Sequence, residues 1–150
     1  MPTASADDQT PYPRISYVIG RLDRALRRRL EQAVGQHGVT VSGYMVLSIL
    51  ADRSGQSNAQ LARRSFMSPQ AMNEVLRRLD DDGLVMRTVN PDHARVQLTN
   101  LTPRGRKVLR ACDAAADVIE AEMFGGVADR RMAQLTSTLI DAVRRLEQGE

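Results

Sequence analysis

The chain has 150 residues, 42% of them hydrophobic and 26% charged, with a net charge of +3 and one cysteine. That composition is too apolar for wholesale disorder, too short for two large domains, and offers no internal disulfide, which fits a reducing compartment. No apolar run approaches the roughly 20 residues that span a bilayer. The stretch from Met1 to Gln9 is acidic and polar, unlike a secretory leader, so a cytoplasmic protein without membrane contact is expected.

Residues 1–13, with three prolines and many small polar side chains, read as a mobile tail. Ile15, Ile19, Leu22, Leu26 and Leu30 then recur at helical spacing, with Arg21, Arg24, Arg27 and Arg28 on the other faces, and Gly35 and Gly38 end this first helix. Ser42 is expected to cap a second helix that runs through Ala51, with Gly55 just beyond it. Ser57-Asn58-Ala59-Gln60 is a capping-box pattern and predicts a short third helix to about Arg64. Ser68-Pro69, an N-cap followed by proline at the first helical position, opens a fourth helix that Gly83 stops near Asp82. Its apolar positions, Met72, Val75, Leu76 and Leu79, fall on one face, and Gln70, Asn73, Glu74 and Arg77 on the opposite one.

From Leu84 to Val89 the pattern becomes extended, Asn90-Pro91-Asp92-His93 is turn chemistry, and Arg95 to Leu101 alternates with period two, which predicts a hairpin. Thr102-Pro103 starts a long helix that carries Val108, Cys112, Ala115 and Ile119 as far as Gly125-Gly126. A last helix carries Ala128, Met132, Leu135, Leu139, Val143 and Leu146. The expected fold is mainly α with a small β-hairpin wing: a winged helix-turn-helix flanked by N- and C-terminal dimerisation helices.

Basic charge is concentrated in the middle of the chain, where residues 53–110 hold eleven Arg or Lys against five Asp or Glu. Only five aromatic residues occur, none clustered on a candidate strand, so stacking platforms for single strands are lacking and duplex DNA is the better polyanion. A helix fits the major groove, where each base pair shows its own donor and acceptor pattern. Gln70, Asn73 and Arg77 are placed to read it, with Glu74 on the same polar face. Ser68 and Pro69 bring a helix N-terminus to a phosphate, Ser57, Arg63, Arg64 and Arg87 supply further backbone contacts, and the hairpin tip with His93 and Arg95 reaches a minor groove. The alternatives are a helical protein-interaction adaptor with a solvated polar face and, more remotely, a small enzyme. Two histidines, one cysteine and the absence of a phosphate loop, paired metal-ligand spacing or nucleophile elbow argue against catalysis, a cofactor or a metal site.

Ser57-Asn58-Ala59-Gln60-Leu61-Ala62, the stretch Ser68 to Leu79, Gly83-Leu84-Val85 and Leu101-Thr102-Pro103-Arg104-Gly105 together resemble the MarR family of bacterial regulators, over roughly Ile15 to Leu146. The resemblance implies a homodimer whose first and last two helices interlock (residues 14–36 and 103–147) and a DNA-binding region at 40–102 facing a palindromic operator. It also implies a repressor released by a small anionic or phenolic effector, for which Arg14, Tyr17, His37 and Tyr44 are the candidate contacts. Counted back from Leu101-Thr102-Pro103-Arg104-Gly105, the family's wing arginine falls on Arg95. The family's usual Asp-x-Arg is here Asp92-His93-Ala94-Arg95, one residue longer, so Asp92 is not expected to brace that arginine. Cys112 lies on an apolar stripe and reads as a buried small hydrophobe, not a redox sensor.

Overall fold

The computed structural model describes residues 13–148, so the tail expected over 1–13 lies, apart from Pro13, outside the described residues. The chain divides into two compact units, one ending at Ala116 and the other beginning at Asp117.

In the first unit, α1 (Ile15–Gly35) leads through a turn to α2 (Val41–Asp52), a two-residue strand β1 (Gln56–Ser57), α3 (Asn58–Arg64) and α4 (Pro69–Asp81). The hairpin of β2 (Val85–Asn90) and β3 (His93–Leu101) follows, and then α5 (Pro103–Phe124), which begins in this unit. The three strands form one antiparallel sheet in the order β1-β3-β2, with Gln56 opposite Thr99 and Arg87 opposite that same Thr99. Val34 of α1, Val46, Leu47 and Leu50 of α2, Leu61 of α3, and Met72, Leu76 and Leu79 of α4 pack into one core. Leu84, Val85 and Leu101 close it from the sheet side, and Leu109 and Cys112 from α5. Burying a side chain of this size is worth about 1.5–3 kcal/mol, so this shared core is what holds α3 and α4 in place against the wing.

The helix starts show local chemistry at work. Ser57 accepts from the Gln60 backbone N–H at 3.3 Å while the Ser57 N–H donates to Gln60 Oε1 at 2.9 Å, the reciprocal box expected there. Ser68 Oγ accepts from the Ala71 N–H at 3.1 Å, with Pro69 at the first helical position. The cap of α2 is Thr40, not Ser42: its Oγ1 accepts from the Gly43 N–H at 3.0 Å. The reason lies upstream, where Gly38 takes φ +79° and tucks Val39 into the core, so the backbone is already extended at Thr40 and helical at Ser42.

Between α3 and α4 the chain turns through Phe66, whose φ of +52° is the left-handed conformation usually taken by glycine. The Met67 N–H donates to the Ala62 carbonyl at 2.9 Å across this turn, closing the end of α3, and the Phe66 ring stands 79% exposed.

The wing departs from expectation at its tip. The turn is Pro91-Asp92 alone, because Asn90 still belongs to β2 and His93 already opens β3. Asn90 Oδ1 accepts from the Asp92 N–H at 3.0 Å and fixes that turn. Val89 stands opposite Gln97 while Asn90 stands opposite His93, so Ala94, Arg95 and Val96 bulge out of the ladder. The long Asp92-to-Arg95 spacing therefore goes with a bulge in β3 and not with a longer turn.

The base of the wing is clamped to the start of α5. The Thr102 hydroxyl donates to the Gly83 carbonyl at 2.6 Å and accepts from the Gly105 N–H at 2.9 Å, while the Thr102 N–H donates to the Leu84 carbonyl at 3.1 Å.

The second unit holds the remainder of α5 and α6 (Asp129–Glu147), joined through Gly125 and a left-handed Gly126. α6 is amphipathic, yet none of its residues is buried: Leu139, Ile140, Val143 and Leu146 remain exposed.

Candidate nucleic-acid interface

Gln70, Asn73, Glu74 and Arg77 all stand exposed on α4, opposite the buried Met72, Leu76 and Leu79. Asn73 and Arg77 are four residues apart and so neighbours along one face. Glu74 sits toward the edge of that face, where it lines a cavity of about 180 Å³ together with Val39, Thr40 and Arg78.

Beside the other edge of α4 an open cleft of about 410 Å³ separates the helices from the wing, lined by Ser57, Asn58, Asn73, Arg87, Arg95 and Gln97 among others. Four residues singled out from the sequence, Ser57, Asn73, Arg87 and Arg95, thus meet in one place. Arg87 is half-buried on the inner side of the hairpin, and its Nε is shut off from solvent with no hydrogen bond among the described residues. Arg95, carried on the bulge, is exposed and borders the same cleft. Two guanidinium groups thereby give the cleft a positive bias with no carboxylate in its lining. Among the described residues no ion pair joins Asp92 to Arg95.

The remaining expected residues lie around this centre. Arg63 and Arg64 are exposed in the last turn of α3. Arg64 is also tied within the protein: its Nε donates at 3.1 Å to Oε1 of Gln56, a residue only 8% exposed. Ser68 and Pro69 are exposed at the start of α4, and His93 is exposed beside the wing turn, one residue past the tip.

Sequence reasoning did not single out Asn58, which borders the cleft and whose Nδ2 donates to Asn73 Oδ1 at 2.6 Å. Its only sequence signal is a second polar residue directly behind the capping serine.

The four candidate effector contacts do not converge within one chain. Arg14 precedes and His37 follows α1, whose 21 residues separate them by about 30 Å at 1.5 Å per residue. Arg14, Tyr17 and His37 are exposed, whereas Tyr44 is half-buried and its hydroxyl donates to Asp113 Oδ1 of α5 at 2.8 Å. Next to it in sequence, Cys112 is buried, and burial together with the Asp113 charge pushes its thiol above the ordinary cysteine range, so it stays protonated and unreactive.

Among the described residues no helix is long and apolar enough to cross a membrane.

Comparison with known proteins places this arrangement. The MarR family model matches residues 37–96, the stretch that holds α2 to α4 and most of the wing. The chain is 33% identical over 110 residues to the HTH-type transcriptional repressor Rv2887 of Mycobacterium tuberculosis, covering 73% of this chain and 79% of that protein. Crystal structures of the same mycobacterial protein superpose at 28% identity, covering 87% of this chain and 98% of theirs. One is in complex with DNA (TM-score 0.72) and one in complex with p-aminosalicylic acid (TM-score 0.70). A MarR family regulator from Rhodococcus sp. RHA1 shares the fold at a TM-score of 0.78 and 24% identity, over 88% of this chain and 94% of that one. From the capped helix pair, the winged sheet and these likenesses together, it follows that this chain belongs to the MarR family of transcriptional regulators.

Proposed function

We propose that the protein is a homodimeric, sequence-specific duplex-DNA-binding repressor, released from a palindromic operator by a small anionic or phenolic effector. The observation that carries the reading is the exposed polar face of α4, with Asn73 and Arg77, lying beside a cleft floored by Arg87 and bordered by Arg95. A helix with that face fits a major groove, and the adjacent guanidinium groups attract the phosphates and the flanking minor groove. Residues 40–102 form the DNA-binding region in this reading, and 14–36 with 103–147 the dimerisation region. The uncovered apolar side chains of α1, such as Ile19 and Leu22, and of α6, such as Leu139 and Val143, support the dimer.

A relative that binds DNA and p-aminosalicylic acid supports both operator and effector. Of the four effector candidates, we retain Tyr44, which ties α2 to α5 through Asp113 and so lies between the DNA-binding and dimerisation regions. We place the protein in the cytoplasm and assign it no catalytic step.

The test is to select bound fragments from the source genome and read the enriched motif, then titrate aromatic carboxylates against the complex. An inverted repeat whose binding an aromatic carboxylate weakens is expected. Enrichment of no motif contradicts the reading.

A further inference from the structure

Asn73 is not a free amide. Its Oδ1 accepts from Asn58 Nδ2 at 2.6 Å, while its own Nδ2 makes no hydrogen bond among the described residues. Asn58 is itself held from both sides. It follows Ser57, which is paired in the sheet with Leu98 and locked by the reciprocal bonds with Gln60, and it begins α3, whose Leu61 is fully buried in the core. The donor is therefore presented from a fixed backbone, and a side-chain amide that gives its oxygen to such a donor turns its two N–H groups outward.

We infer that Asn58 sets what Asn73 reads: with its oxygen engaged, Asn73 turns its hydrogen-bond donors to the groove and prefers the acceptor edge of a guanine or a thymine to the mixed donor and acceptor edge of an adenine. The inference rests on the DNA-binding reading above and refines it. An asparagine that pairs with adenine in both directions needs its oxygen free to accept from N6 and its nitrogen free to donate to N7. Here one lone pair of that oxygen is already taken by Asn58, which disfavours the second, simultaneous bond that adenine N6 needs. Guanine O6 and N7 and thymine O4 match the donors that remain, whereas adenine offers them N7 alone and sets its N6 donor beside it. Arg77, one helical turn further along the same face, carries donors only. Asn73 and Arg77 together therefore present a donor-only surface, suited to neighbouring acceptor edges on the operator. In this scheme Asn58 is a positioning residue that acts through Asn73.

The chemistry of position 58 supplies a test that a merely structural role would not pass. In Asn58→Asp the side chain can only accept, so the Asn73 amide must turn to donate to it and present its oxygen to the groove. A carboxylate is also favourable in the first turn of a helix, which keeps the fold in place. Binding sites are selected from a random duplex pool with the full-length protein and with Asn73→Ala, Asn58→Ala and Asn58→Asp, and affinity for random DNA is measured alongside.

The base position that loses its preference in Asn73→Ala is expected to be guanine or thymine for the unmodified protein. Asn58→Ala is expected to blur the same position, reducing operator discrimination roughly five- to tenfold with little change on random DNA. Asn58→Asp is expected to shift that position toward adenine or cytosine, whose amino groups donate. Adenine or cytosine at that position for the unmodified protein overturns the inference, as does an unchanged preference in both Asn58 variants while their DNA binding persists. Failure of the unmodified protein to enrich any sequence overturns instead the DNA-binding reading on which it rests. Should Asn58→Asp not fold, Asn58→Ala decides by its effect at that one base position.

Discussion

Gly105 lies so close to the backbone of Leu84 that a Cβ at position 105 would stand 1.9 Å from the Leu84 carbonyl oxygen. Backbone cannot retreat as a flexible side-chain end can, and this carbonyl is also held by the Thr102 N–H. Gly105→Ala is therefore expected to destabilise the protein by about 3 kcal/mol or more, because it forces the start of α5 off the base of the wing. Urea unfolding of the two proteins measures this; a change below about 1 kcal/mol would show that the clamp yields easily.

The sequence made that glycine visible as part of Leu101-Thr102-Pro103-Arg104-Gly105 without revealing why it is one. Features written in residues three or four apart were legible: the Ser57–Gln60 box, the Ser68-Pro69 start, the glycine stop after α4, and the polar face of α4. Features set by distant partners were not. β1 has two residues, Gln56 and Ser57, and exists because Thr99 and Leu98 lie alongside it. The α2 cap moved from Ser42 to Thr40 because burial of Val39 decided where the helix begins. In the site, the extra residue before Arg95 was countable, but its placement in a bulge depends on strand pairing. The Asn58–Asn73 bond, spanning 15 positions, had no local signature.

Arg63 and Arg64 look alike in sequence and differ in structure, and their substitutions should differ too. Arg63→Ala is expected to weaken operator and random DNA alike and to reduce the salt slope by about 1. Arg64→Ala should do the same and also lower unfolding stability by about 1 kcal/mol, because Gln56 loses the donor to its buried Oε1. Equal stability of the two variants would assign Arg64 to the solvent side alone. By contrast, Arg77→Ala should cost about 1–3 kcal/mol on the operator and change the preferred sequence.

On the wing, no bond joins Arg95 to Asp92 among the described residues and the Asp92 backbone N–H is held instead by Asn90, so the two are expected to act separately. Arg95→Ala is expected to lower affinity, most of all for operators with A·T-rich flanks, whose narrow minor groove attracts a guanidinium. Asp92→Ala should change binding little. Fluorescence anisotropy on matched A·T-rich and G·C-rich operators compares them, and equal losses in a folded dimer would mean that the bulge has not uncoupled the pair.

The apolar side chains left uncovered on α6 predict self-association, because Leu139, Ile140 and Val143 are still about half exposed and covering the rest of each returns about 1 kcal/mol. Sedimentation at micromolar concentration should give about twice the chain mass of 16.6 kDa. A charge on the stripe, as in Ile140→Glu or Val143→Glu, should shift the protein toward monomer with its helix content retained. A monomer for the unmodified chain would contradict the dimer.

In the proposed function, α4 and the arginine-bordered cleft beside it engage the phosphates and base edges of duplex DNA. That engagement is tested most directly by the salt dependence of binding to the selected operator, compared with that of Arg87→Ala and Arg95→Ala. Several phosphate contacts predict an affinity that falls steeply and linearly on a log–log plot, about a hundredfold or more between roughly 50 and 200 mM salt, with a shallower slope for each arginine variant. A slope near zero, or one left unchanged by both substitutions, would contradict the account.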